Sequence, residues 1–80
     1  MTKEQVLDNV GVIFKDILEN ESLVIKAETT SDDIEEWDSL AHIQLVVATE
    51  KHFNIHFTAK EIGEYTNVGE MCDGIFNKIN

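Results

Sequence analysis

Glu35-Glu36-Trp37-Asp38-Ser39-Leu40, continuing as Ala41-His42-Ile43-Gln44-Leu45-Val46-Val47, is the stretch in which an acidic loop turns into a helix. Asp38 is the natural N-cap. Its carboxylate can accept from the free N–H groups of the first turn, and its charge complements the positive end of the helix dipole. Ser39 then falls in the first turn and faces solvent. A hydroxyl there is well placed to carry a phosphate, because the orphan N–H groups and the dipole at a helix start both favour an anion.

The helix predicted from Ser39 to about Phe53 carries two apolar stripes. His42, Leu45, Val46, Thr49 and Phe53 share one face, while Leu40, Ile43 and Val47 lie nearly opposite, beside Gln44 and Lys51. A surface helix needs only one such stripe. Either this helix is buried on both sides, or Leu40, Ile43 and Val47 stay exposed for a partner. The pattern alone leaves both readings open.

Upstream, Val6, Leu7, Val10, Ile13, Phe14, Ile17 and Leu18 recur at the spacing of one helix face. Thr2 and Gln5 have the capping-box spacing, so this helix should begin near Lys3 and fade around Asn20, with Gly11 as its weak point. No period holds from Glu21 to Trp37, which predicts a long loop. The apolar Leu23, Val24, Ile25 and Ile34 suggest that it is pinned onto the core, with Trp37 as its last anchor. Downstream, Ile55-His56-Phe57 is too short and isolated for a strand and reads as a connection. Thr58 and Glu61 predict a capped short helix to about Glu64. Asn67-Val68-Gly69-Glu70 opens a last helix with Val68, Met71, Cys72, Ile75, Phe76 and Ile79 on one face. The expected fold is all-α: a four-helix bundle of three main helices and one short one, with a long first loop.

A chain of 80 residues with 42% hydrophobic content supports one core, so residues 1–80 are expected to form a single domain. The net charge of -10 argues against nucleic acid or an anionic membrane as partner and favours basic protein surfaces, although such charge also serves plain solubility. Cys72 is the only cysteine, which excludes an internal disulfide and suits a reducing compartment. No apolar run is long enough to span a bilayer, and a cytoplasmic monomer is expected.

Competing chemistries are weaker. Asp32, Asp33, Glu35, Glu36 and Asp38 lack the alternating ligands and central glycine of a calcium loop. Ser39 and His42, with Asp38 adjacent, superficially resemble a nucleophile and its base. No strand-turn-helix elbow or glycine-lined oxyanion hole accompanies them, so no catalytic residue is expected. His42, His52 and His56 match no common zinc spacing, and no metal site is expected. His42 should pack at the core's edge, with the other two on the surface.

Asp38-Ser39-Leu40 after an acidic loop, followed by Ile43, Leu45, Val46 and Phe53, resembles the acyl and peptidyl carrier proteins. The likeness extends over nearly the whole chain in length, acidity and helix order. It implies that Ser39 is esterified with 4'-phosphopantetheine from coenzyme A by a phosphopantetheinyl transferase, with Asp38 capping the helix and helping to orient the cofactor during transfer. The arm's thiol would hold acyl or aminoacyl groups as thioesters, and the protein itself would perform no reaction. The likeness also favours exposure of the second stripe. Leu40, Ile43 and Val47, with Gln44 beside them and Glu35, Glu36 and Glu50 meeting basic residues, would dock the loading ligases, synthases or acyltransferases. The alternative is an unmodified acidic helical interaction module that shares only the shape.

Departures from the family are informative. Fatty-acid carriers commonly have glycine two residues before the motif's aspartate and acidic residues soon after its leucine. Here those places hold Glu36, Ala41 and Gln44, and Trp37 is a bulky choice before Asp38. The docking face, with neutral Ala41 and Gln44, is therefore expected to be less acidic than in a general fatty-acid carrier, and the resemblance implies a specialised bacterial-type carrier. It would serve a dedicated pathway handling a polyketide, a lipid or surface-glycan acyl group, or an activated amino acid.

Overall fold

Each helix start is set locally. In the computed structural model, which describes residues 1–79, the Thr2 hydroxyl accepts from the Gln5 N–H at 3.1 Å and the Gln5 side chain accepts from the Thr2 N–H at 2.8 Å. This reciprocal cap opens α1, Lys3–Ile17. Asp38 opens α2, Ser39–Phe53, and a second capping box between Thr58 and Glu61 opens α3, Ala59–Glu64. Asn67 starts α4, Val68–Ile79, by accepting from the Glu70 N–H at 2.8 Å. The Glu70 carboxylate reaches the N–H and hydroxyl of Thr66 instead of completing a box with Asn67. The four helices and the absence of strands among the described residues match the expected all-α bundle.

α1 stops earlier than expected. Leu18 is its C-cap, and Glu19 takes a left-handed φ of 54°. The Asn20 N–H then returns to the Lys15 carbonyl and that of Glu19 to Asp16, closing a Schellman turn. Glycine usually occupies that position, so a glutamate there gives no stop signal.

α1 packs against both α2 and α4, and the apolar faces read from periodicity meet in one core. Val6, Val10, Phe14, Leu45, Val68 and Ile75 are the most deeply buried apolar side chains. Thr49 is buried with them, its hydroxyl satisfied by the Leu45 carbonyl at 2.7 Å. Cys72 is packed on the inward face of α4, and burial pushes its thiol up to about 11. No helix among the described residues is long and apolar enough to cross a membrane.

The loop between α1 and α2 is docked, as its apolar residues implied. Ile34 is buried, and Leu23, Ile25 and Trp37 are half-buried against the core. Val24 departs from that expectation: it is 72% exposed, because its neighbours on either side take the inward positions. A 3-10 turn at Ser31–Asp33 interrupts the loop, with the Asp33 carboxylate accepting from the Thr30 N–H at 2.9 Å. The loop also clasps the start of α4. The Val68 and Gly69 N–H groups, orphans of a first helical turn, donate to the Thr29 and Ala27 carbonyls at 2.9 and 2.7 Å. A Cβ at residue 69 would lie 2.9 Å from the Ala27 oxygen, so this approach requires glycine.

Candidate functional site

The site lies where the docked loop feeds α2. The Asp38 carboxylate accepts from the Ala41 N–H at 2.8 Å, while its carbonyl accepts from the His42 N–H at 2.9 Å. Together these bonds define the first turn and leave the Ser39 side chain exposed on it. Behind this turn, Trp37 holds the loop in place. Its ring meets Phe14 edge-on at 4.9 Å, and its Nε1–H donates to His42 Nδ1 at 3.2 Å. The two ring planes differ by only 20°, with centroids 6.0 Å apart, as expected for rings paired edge to edge through that bond.

Ser39 borders a cavity of ≈ 450 Å³. Trp37, His42 and Val46 line one side; Phe57, Ile62, Tyr65 and Met71 come from α3, its flanks and α4. The wall is mostly apolar, with Ser31, Thr66 and Asn67 among its polar members. Burial, then the Glu61 and Glu64 carboxylates, push the Tyr65 phenol above its ordinary value, so it stays protonated. A mainly apolar cleft with a few polar groups and an exposed hydroxyl at its border can accommodate a small organic group held at that hydroxyl.

The second stripe of α2 is open. Leu40, Ile43 and Val47 are 66%, 61% and 42% exposed, whereas Leu45, Val46 and Thr49 are buried. Gln44, Glu35 and Glu36 are also exposed. Glu36 accepts from the Asn20 side-chain amide at 2.7 Å, and this bond holds its carboxyl below the usual value.

Two residues sit differently from expectation. Ala41 is buried, only 8% exposed, because it follows the inward turn of α2; it cannot thin the acidity of an outer face it does not share. Glu50 is half-buried, and its carboxylate accepts from the Phe57 N–H at 2.8 Å, with His56 Nδ1 at 3.9 Å. That carboxylate ties α2 to the connection before α3. The cavity walls from Phe57, Ile62, Tyr65 and Met71, and the Trp37–His42 bond, were not anticipated. An indole five residues ahead of an imidazole across a helix cap is the one local signal of the latter.

Residues 10–75 match the family described as phosphopantetheine attachment site. The chain belongs to that family of carrier proteins. An acyl carrier protein of Cyanidium caldarium is 33% identical over 82 aligned residues, covering 100% of this chain and 93% of that protein. The solution structure of a holo acyl carrier protein from Geobacter metallireducens superposes with a TM-score of 0.88 at 36% identity, over 92% of this chain and 85% of that one. The carrier role and its 4'-phosphopantetheine cofactor follow, and the unmodified interaction module is not favoured. The residues present fit that cofactor. An exposed hydroxyl in the first turn of a 15-residue helix can place a phosphodiester at the positive end of the dipole, beside a cavity broad enough for an organic group.

Proposed function

We propose that Ser39 is the attachment point of the arm and that this carrier presents acyl or aminoacyl groups as thioesters to partner enzymes. One observation carries the reading: the Ser39 hydroxyl is exposed in the Asp38-capped first turn of α2 while bordering the apolar cavity. Ser31 also lines the cavity, but it belongs to a short 3-10 turn and lacks a long helix behind it. Once attached, the arm supplies the thiol that bears the cargo. This chain's residues hold the rest: Asp38 keeps the first turn formed, and Trp37 and Phe14 keep the loop seated behind it.

Leu40, Ile43 and Val47 form the apolar centre of the partner surface, with Gln44, Glu35 and Glu36 around it. Exposed apolar groups rimmed by acidic ones suit a partner with a basic, partly apolar patch. Phosphopantetheinyl transferase and the loading ligases, synthases or acyltransferases are partners of this kind. Glu50 contributes less, because its carboxylate is engaged within the chain. Uncharged Gln44 supports the specialised reading, a dedicated pathway rather than general fatty-acid synthesis.

The test is intact-protein mass after incubation with coenzyme A, magnesium and a broad-specificity transferase. The unaltered chain should gain one arm and Ser39→Ala none, with unchanged helical circular dichroism because alanine is tolerated in a first turn. A thiol reagent near neutral pH offers a second readout. Buried Cys72, its thiol pushed up to about 11, should stay silent while the arm reacts. An unmodified chain, or modification that survives Ser39→Ala, would refute the assignment.

A further inference from the structure

The contact between Trp37 and His42 selects one tautomer of the imidazole. An indole N–H can only donate, so His42 Nδ1 must accept, and the neutral imidazole therefore carries its proton on Nε2. That second nitrogen lies on the ring edge turned away from Trp37. Among the described residues it has no hydrogen-bond partner, whereas Nε2 of His52 is engaged by Asn9 Oδ1 at 2.9 Å. His42 is half-buried, follows Ser39 by three residues on the same side of α2, and lines the cavity that Ser39 borders. A donor of fixed tautomer, one helical turn from the exposed hydroxyl, bonded to no acceptor among the described residues and open to solvent, is available to an acceptor that arrives with a ligand.

We propose that His42 Nε2–H donates a hydrogen bond to a carbonyl oxygen of the group carried on Ser39, and that Trp37 positions it for this by fixing the tautomer. The inference rests on the attachment proposed above. Its ligand chemistry is a neutral carbonyl acceptor. An amide of the arm and the thioester of the cargo both provide one, so the test separates them. Trp37 then has two roles: its ring packs the loop against Phe14, and its N–H determines which imidazole nitrogen carries the proton.

The measurement is a long-range proton–nitrogen spectrum of the histidine side chains in uniformly nitrogen-15-labelled protein. It is taken unmodified, loaded from coenzyme A and loaded from butyryl-coenzyme A, with intact mass confirming each state. The unmodified protein should show His42 as a single Nε2–H tautomer, and Trp37→Phe should convert it to a mixture. Loading should move the His42 Nε2 proton downfield while the exposed His52 and His56 stay in place. A shift already complete with the bare arm puts the acceptor on an arm amide; a shift seen only with the butyryl group puts it on the thioester. Mixed tautomers in the unaltered protein, or a Trp37→Phe spectrum identical to it, would overturn the role of Trp37. Confirmed loading that leaves His42 Nε2 unmoved in both states would overturn the hydrogen bond while leaving the attachment intact. A chain that gains no mass would refute the attachment and this inference together.

Discussion

The two apolar faces of α2 have almost the same chemistry and opposite fates. Leu45 and Val46 are buried against the bundle; Leu40, Ile43 and Val47 stand in water one half-turn away. Intrinsic preference does not separate them, since leucine, valine and β-branched residues occur on both. The partners separate them: α1 covers the inner face, and among the described residues no element covers the outer one. A helix with two apolar stripes in a chain of 80 residues therefore has one face committed to stability and another available for recognition.

That division can be broken most sharply by truncating one residue from each face. Leu45→Ala should cost about 2 to 5 kcal/mol, because it leaves a cavity in a packed core. Ile43→Ala, on the open face, should stay within about 0.5 kcal/mol. Urea unfolding of the pair decides it: equal losses would mean that the outer face is covered, and the comparison would fail.

The loop sharpens the comparison because it supports the inner face near the site. Trp37 is half-buried, so Trp37→Ala should cost less than removing a fully buried indole, roughly 2 to 3 kcal/mol. In a chain of this size that amounts to a fall of about 8 to 24 °C in Tm. Trp37→Phe, which keeps the ring against Phe14, should lose much less. Coincident melts for Trp37→Ala and the unaltered protein would show that the loop does not depend on this anchor.

What could be read in advance follows the range of the forces involved. Caps at Thr2, Asp38 and Thr58 were legible because each joins residues three apart, and a short chain segment specifies its own hydrogen bonds. The position of Ser39 was legible for the same reason. Burial was harder. Ala41 looks like a neutral surface choice, yet it turns inward, and Glu50 looks like a docking charge although it holds the Phe57 N–H. Both depend on elements that pack from elsewhere in the chain. The clasp of the loop on α4 was invisible, since backbone carbonyls at Ala27 and Thr29 carry no side-chain signature; only Gly69 hints at the close approach.

A smaller effect tests the early stop of α1. Glu19→Gly should stabilise by about 0.5 to 1 kcal/mol, because glycine adopts the left-handed conformation without a Cβ penalty. Calorimetry would register the gain, and a loss would mean that the Glu19 side chain contributes more than its strained backbone costs.

The smallest expected change concerns the outer face. With Ala41 assigned to the core, Gln44 is the remaining neutral position where an acidic residue is common in fatty-acid carriers. Gln44→Glu should raise the association rate with general fatty-acid synthesis enzymes a few-fold at low salt, and the gain should fade as salt is added. Efficient elongation on the unaltered protein would contradict the specialised reading.

The central claim is that the open first turn of α2, rather than any other hydroxyl, bears the arm. Fragmenting the loaded protein and locating the added mass tests it most directly. The account predicts that the mass resides on Ser39 alone. Finding it on Ser31, Ser22, Thr58 or any other hydroxyl would contradict the account.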